Sequence, residues 1–153
     1  MKKIKVCYFI KDLEDGGAQK IVATLSSNSQ IESTIIIFNV KNLNKFLIPN
    51  FKNSNIKIYC LTKLSDIKNI IFALINAQLL HVNLFPELYL CSFIPKKKVF
   101  TEHNTWNRRR KFKIFKLLDY LAYTNYEKII CISEPVKKEL ISWIGLESKV
   151  KVI

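Results

Sequence analysis

Residues 4–27 read IKVCYFIKDLEDGGAQKIVATLSS, and this stretch decides the fold. Ile4–Ile10 is a short apolar run with the composition of a buried strand. Asp15-Gly16-Gly17-Ala18 then punctuates the chain. Beyond it Ala18, Ile21, Val22 and Leu25 fall at i, i+3, i+4 and i+7, which predicts an amphipathic helix. A strand, a diglycine turn and a helix in that order open an α/β fold.

The same alternation continues to the last residue. Thr34–Val40 and Asn55–Leu61 predict strands, separated by a polar, irregular stretch over Asn42–Asn53 in which Phe46, Leu47 and Phe51 offer apolar contacts. Leu64–Gln78 predicts a helix, Leu79–Asn83 a strand, and Glu87–Phe93 a helix after Pro86. Lys97–Glu102 predicts a strand, Trp106–Tyr123 one long helix, and Lys128–Ser133 a further strand. Glu134–Ile144 predicts a helix with Pro135 in its first turn and Gly145 as its C-cap, and Val150–Ile153 begins another strand. The fold class that follows is a doubly wound parallel sheet in one domain over residues 1–153. Right-handed crossovers put the carboxyl ends of such strands on one edge, where ligands bind. Asp15–Gly17, His81–Asn83, Glu102–Asn104 and Ser133-Glu134 are expected at that edge and form the candidate site.

Composition narrows the function classes. A hydrophobic fraction of 49% supplies a core and argues against disorder. Lys and Arg number 25 against 12 Asp and Glu, a net charge of +13 that points to an anionic partner. Lys41, Lys45, Lys52 and Lys57 are scattered and read as solvated surface. Arg108-Arg109-Arg110-Lys111, with Lys113 and Lys116 after it, is a cluster. Cys7, Cys60, Cys91 and Cys131 include no C-x-x-C pair and sit among apolar neighbours, so they read as small core residues in a reducing cytoplasm. The apolar run at the N-terminus is too short for a signal peptide, with Lys11 and Asp12 ending it. IIFALINAQLL (Ile70–Leu80) is interrupted by Asn76 and Gln78 and falls short of the roughly 20 residues that span a bilayer. Membrane association, if any, is expected to be peripheral.

Each chemical feature carries two readings. Gly16-Gly17 stands where a helix N-terminus presents free N–H groups to a phosphate, and a tight turn explains the pair equally. The pair is neither G-x-G-x-x-G nor a P-loop, which removes support for nicotinamide chemistry and for nucleoside triphosphate hydrolysis. His103 ends a strand and can bond a sugar hydroxyl or a phosphate, or serve structure. His81 lies within an apolar strand and reads as a core histidine, with Asn83 on the same face nearer the edge. On the Trp106–Tyr123 helix, Ile114, Phe115, Leu117, Leu118, Leu121 and Ala122 are expected to face the core, with Lys113, Lys116, Asp119 and Tyr120 opposite. The Arg108–Lys111 turn, basic all round, is expected in solvent, either as an ordinary solvated turn or against an anionic bilayer. Ser133 reads as an N-cap. No Asp-x-Asp occurs, which leaves metal dependence open; no metal-ligating residues and no cofactor are assigned to this chain.

Taken in order, GGAQKIVATL (Gly16–Leu25), LLHVNLF (Leu79–Phe85), VFTEHN (Val99–Asn104) and IICISEPVKKELI (Ile129–Ile141) carry a family likeness. The chain resembles the N-terminal, acceptor-side half of retaining, nucleotide-sugar-dependent glycosyltransferases of family 4, with the GT-B fold of two Rossmann-like domains facing a cleft. The resemblance implies that His103 contacts the transferred sugar as the catalytic-site residue. It also implies that Gly16 and Gly17 lie by the donor phosphates, with Asn83, Glu102 and Asn104 beside them in substrate binding. Arg108, Arg109, Arg110, Lys111, Lys113 and Lys116 are the candidates for a membrane or anionic acceptor. Asn83 stands where many members carry a second His, and Gln78 replaces a common Asp.

The resemblance further implies a second, donor-binding domain that these 153 residues do not include. The expected function is therefore half of a sugar transferase with little or no activity alone. Its partners would be a nucleotide sugar, bound only with the missing domain or a partner chain, and a saccharide or lipid-linked acceptor of cell-envelope or capsule polysaccharide synthesis. Its expected place is the cytoplasm, peripheral at the inner face of the plasma membrane. Two other readings stand beside it. One is a basic Rossmann-like module for nucleic acid or an anionic membrane; the lack of a reader motif and of stacking aromatics among the basic residues speaks against nucleic acid. The other is a nonfunctional gene fragment.

Overall fold

Strand and helix alternate along the chain in a computed structural model that describes residues 3–38 and 56–153. The strands are β1 (Ile4–Ile10), β2 (Ile31–Ile37), β3 (Lys57–Cys60), β4 (Leu79–Asn83), β5 (Lys98–Glu102), β6 (Lys128–Cys131) and β7 (Val150–Val152). The helices are α1 (Gly17–Ser26), α2 (Ile67–Asn76), α3 (Glu87–Ser92), α4 (Ile114–Thr124) and α5 (Glu134–Ile144). Short 3₁₀ turns occupy Leu64–Asp66, Arg108–Lys111 and Glu147–Lys149. The seven strands form one sheet in the order β3-β2-β1-β4-β5-β6-β7, and β1·β2, β2·β3, β5·β6 and β6·β7 pair in parallel. This is the expected Rossmann-like α/β architecture. The expected irregular stretch at Asn42–Asn53 lies outside the described residues, as do Lys41, Lys45, Lys52, Val40 and Asn55.

Two compact units share this chain, Met1–His81 and Val82–Ile153. In the first, β1 is buried continuously from Val6 to Ile10, as a parallel strand covered on both faces must be. Ile35, Ile36 and Ile37 of β2 and Leu80 of β4 complete its interior. His81 is buried with its ring 5.4 Å from that of Tyr8, a core position. Gln78 is tied to β1, its side-chain carbonyl accepting from the Lys5 N–H and its own N–H donating to the Lys5 carbonyl. α1 buries Ala18, Gln19, Val22, Ala23 and Ser26, while Ile21 and Leu25 lie at the solvent margin. The buried stripe of α1 is thus rotated from the expected one, toward small side chains that let the helix sit close to the sheet.

In the second unit an aromatic cluster takes the core. Phe100 of β5 meets Tyr123 and Tyr126 edge-on, with ring centroids 5.5 and 5.6 Å away. The buried Tyr126 hydroxyl donates to the Leu88 carbonyl at 2.7 Å, which satisfies a group that would otherwise be costly to desolvate. α5 runs over its expected residues. Ser133 stands at its N-cap, and Gly145 adopts a left-handed backbone at φ 72°, its N–H reaching the Ile141 carbonyl. Cys7, Cys60, Cys91 and Cys131 are all buried thiols, as small core residues are.

The expected long helix over Trp106–Tyr123 is broken. Asn107 is extended, Arg108–Lys111 forms the 3₁₀ turn, Phe112 is extended again, and α4 starts at Ile114. The inner face of α4 also differs from the expected one at Asp119 and at four aliphatic residues, while Ala122 is buried and Lys113, Lys116 and Tyr120 are exposed as expected. Asp119, Ala122 and Tyr123 are buried, whereas Ile114, Leu117, Leu118 and Leu121 are between 44% and 63% exposed. The cause is polar. Asp119 has an arginine, a tyrosine and a tryptophan to bind on the inner side, and these partners hold the helix in a register that apolar burial alone would not select.

Candidate functional site

In the first unit, β1 delivers the chain into a polar turn. Asp12 is buried just after the strand, and its Oδ1 accepts from the Gln19 side-chain amide at 2.9 Å and from the Glu14 N–H at 3.2 Å. Gly16 is the extended residue at the α1 N-cap, and its carbonyl accepts the first helical bond from Lys20 N–H. A Cβ on Gly16 would come within 2.3 Å of Gln19 Oε1, so any larger residue there makes the Asp12-bound amide shift. A Cβ on Gly17 would meet nothing within 4 Å. The two glycines therefore differ: Gly16 makes room for Gln19, and Gly17 borders open space at the head of a helix whose first-turn N–H groups lack intrahelical acceptors. Asp12 and Gln19 were not among the expected site residues. An acidic residue just past the first strand was the available signal.

In the second unit, the ends of β4 and β5 bring Asn83 and His103 together. Asn83 is fully buried, and its Oδ1 lies 3.3 Å from His103 Nε2. An amide oxygen accepts, so in this pairing Nε2 carries the hydrogen and Nδ1 is the acceptor. Burial lowers the His103 pKa from its ordinary value and holds the imidazole neutral. Leu84, directly after Asn83, takes a left-handed backbone at φ 66°, a conformation that costs a non-glycine residue roughly 1–2 kcal/mol. The turn carrying Asn83 is thus held against its local preference.

Glu102 braces the loop that follows β5. Its Oε1 accepts from the Asn104 N–H at 3.1 Å, and its Oε2 accepts from the Tyr123 hydroxyl at 2.6 Å. Arg110 approaches the same Oε2 at 4.0 Å and donates from NH1 to the Thr105 carbonyl at 3.0 Å. With 3% exposure, Glu102 spends its carboxylate on its own chain and so fixes the backbone around His103 and Asn104. Asn104 itself is exposed.

The basic cluster divides in two. Arg108, Lys111, Lys113 and Lys116 are exposed. Arg109 and Arg110, expected in solvent, have side chains only 9% and 7% exposed. Arg109 Nε donates to both Asp119 oxygens, at 3.0 and 3.1 Å, and its guanidinium lies over the Phe85 ring at 5.1 Å. Asp119 also accepts from Trp143 Nε1 at 2.8 Å and from the Tyr89 hydroxyl. A carboxylate with three donors and no exposure is a structural knot. It was illegible in a sequence where the arginines read as one uniform run.

Comparison with known proteins places this geometry. The model for Glycosyltransferase Family 4 matches residues 6–153. The structure is similar to that of Anabaena HepE in complex with UDP and glucose, with a TM-score of 0.77 at 12% identity, covering 98% of this chain and 44% of that one. A second structure of the same protein with UDP gives a TM-score of 0.77 at 13% identity, covering 98% and 43%. A Listeria monocytogenes protein described as a UDP-N-acetylglucosamine 2-epimerase gives 0.64 at 18% identity, covering 98% and 45%. No curated protein matches the sequence. The fold and the family match define a glycosyltransferase-type domain. The chain belongs to Glycosyltransferase Family 4 and corresponds to an N-terminal GT-B domain. It spans less than half the length of these solved structures.

Proposed function

We propose that the chain forms the acceptor-side half of a nucleotide-sugar-dependent, retaining sugar transferase. The observation that carries this reading is the Asn83–His103 pair at the carboxyl ends of β4 and β5, inside a family 4 domain. A neutral imidazole oriented by a buried amide presents Nδ1 to a sugar hydroxyl without the cost of desolvating a cation. Gly17, at an uncrowded helix head, is the approach point for the donor phosphates. By likeness to HepE, which was solved with UDP and glucose, the donor is a UDP-sugar. The acceptor is a saccharide, free or lipid-linked, of cell-envelope or capsule polysaccharide synthesis.

A surface supports the lipid-linked form of the acceptor. The outward face of α4 carries Ile114, Leu117, Leu118 and Leu121, with exposed Arg108, Lys111, Lys113 and Lys116 nearby. Among the described residues no helix is long and apolar enough to cross a membrane. An anionic bilayer surface matches both features, since cations near it contribute about 1 kcal/mol each and apolar side chains bury into the interface. We place this face at the inner leaflet of the plasma membrane.

Stabilising a departing diphosphate takes preorganised positive charge. The structural relatives are more than twice as long as this chain, so the 153 residues by themselves are assigned little or no transfer. The test is transfer from UDP-glucose to a membrane extract by the purified chain, alone and with a family 4 donor-binding domain supplied in trans. Transfer that needs the added domain and falls roughly 10²-fold with His103→Ala supports the reading. Transfer by the chain alone, or transfer indifferent to His103, overturns it.

A further inference from the structure

A groove of about 580 Å³ opens beside the loop that follows β5, lined by Thr105, Trp106, Glu134, Pro135, Lys138 and Glu139. All six residues lie within the second unit, where β5 hands over to its loop and β6 to the head of α5. Its volume falls in the range of about 300–1,000 Å³ usual for small-molecule sites. We propose that this groove is a saccharide subsite in which Trp106 stacks against one pyranose of an uncharged oligosaccharide. The proposal rests on the sugar-transfer reading for the choice of ligand class.

The lining has the chemistry of a sugar site. Trp106 is 54% exposed, a large aromatic surface left in water. One of its faces is taken, because Lys111 Nζ lies over the ring at 5.5 Å. Trp106 lines the groove and Lys111 does not. The π-face of an aromatic ring carries negative charge, and it meets the weakly positive C–H face of a pyranose well. Pro135 adds an apolar wall. Around them the Thr105 hydroxyl, the Glu134 and Glu139 carboxylates and the Lys138 ammonium supply acceptors and donors for hydroxyl groups, which act as both. Glu134, Lys138 and Glu139 are exposed, and Glu134 pairs with Lys137 at 4.0 Å.

Charge selects the ligand. On a chain of net charge +13, this groove carries two carboxylates against one ammonium. With Lys137 paired to Glu134 and Lys111 over Trp106, the groove has no concentrated positive charge of its own to hold a nucleoside diphosphate or an anionic headgroup, and an uncharged saccharide needs none. The site therefore differs in character from the Gly16-Gly17 turn and from the outward face of α4.

The experiment uses the two indole N–H resonances. Trp143 is the internal control, because its Nε1 is committed to Asp119. The purified chain is titrated at millimolar concentrations with glucose, N-acetylglucosamine, galactose, mannose and rhamnose, with oligomers of the first two, and separately with UDP. A saturable shift of the Trp106 resonance with a saccharide, the Trp143 resonance staying in place, supports the subsite. Affinity should fall at least about tenfold in Trp106→Ala, read on the Thr105 amide, and by a similar factor in Glu134→Gln/Glu139→Gln. No saturable shift with any saccharide, or a shift with UDP alone, overturns it. Retention of the Trp143 resonance shows that each variant is folded. Saccharide binding without transfer in the trans assay removes the transferase reading and leaves the subsite standing; transfer unaffected by Trp106→Ala, with no saccharide shift, does the reverse.

Discussion

Replacing Asp119 with Asn tests the architecture of the second unit at its most exposed assumption. The side chain keeps its shape and loses its charge. Asp119 has no solvent exposure and accepts from Arg109, Trp143 and Tyr89. An Asn offers one oxygen where there were two and turns an NH₂ group toward donors. The Arg109 guanidinium, 9% exposed, is then left buried without its counter-charge. Breaking a buried ion pair in this way costs about 3–5 kcal/mol. With a urea slope of about 2 kcal/mol/M, a loss near 4 kcal/mol lowers the unfolding midpoint by about 2 M. That is a large fraction of the roughly 5–15 kcal/mol that holds a domain together. The assay is urea unfolding followed by far-UV circular dichroism and by Trp143 fluorescence. Arg109→Met combined with Asp119→Leu should recover part of the loss, because neither charge is then stranded. A midpoint shift below about 0.5 M for Asp119→Asn would mean that Arg109 is an ordinary surface cation, and the account of the α4 register would fail with it.

Three further outcomes are expected. The His103 imidazole should titrate below its usual value of about 6.5, followed by its ring resonances; since the unfolded chain binds that proton more readily, stability contributed by the neutral ring is complete above about pH 6.5 and is lost as pH falls toward the folded value. A midpoint at or above 6.5 would contradict the burial argument. Gly16→Ala should cost about 1–2 kcal/mol by displacing Gln19 from Asp12, while Gly17→Ala, meeting no neighbour, should change stability by less than about 1 kcal/mol; thermal melts that rank the two in the opposite order would remove the distinction drawn between them. Leu117→Ser with Leu121→Ser should weaken sedimentation with anionic liposomes without lowering the melting temperature, and unchanged sedimentation would end the membrane assignment.

Where residues act one at a time through local rules, the sequence was enough. β1, β4 and α5 occupy the residues expected of them, since an apolar run, a Ser–Pro start and a left-handed glycine each dictate structure from within a few positions. Periodicity failed on α4. Two stripes compete there: Ile114, Leu117, Leu118 and Leu121 at i, i+3, i+4 and i+7, and Phe115, Asp119, Ala122 and Tyr123 at i, i+4, i+7 and i+8. Hydropathy favours the first, and long-range donors to one carboxylate decide for the second. Those donors come from Tyr89, Arg109 and Trp143, up to 30 residues away in sequence, and no window on the helix contains them all. The site shows the same limit. His103 was visible as an unusual residue ending a strand, but its buried partner Asn83 lies 20 residues earlier. Glu102 was visible as a carboxylate ending a strand, but its partner Tyr123 lies 21 residues further on.

The knot around Asp119 has a consequence for how this protein can vary. Most amphipathic helices need their greasy stripe to stay folded, so drift in that stripe is punished. Here part of the anchoring is polar and inward, and four large aliphatic side chains on α4 leave about half of their surface in water. Their outer halves add little to the fold, which leaves what this wall of the molecule touches open to selection on that contact.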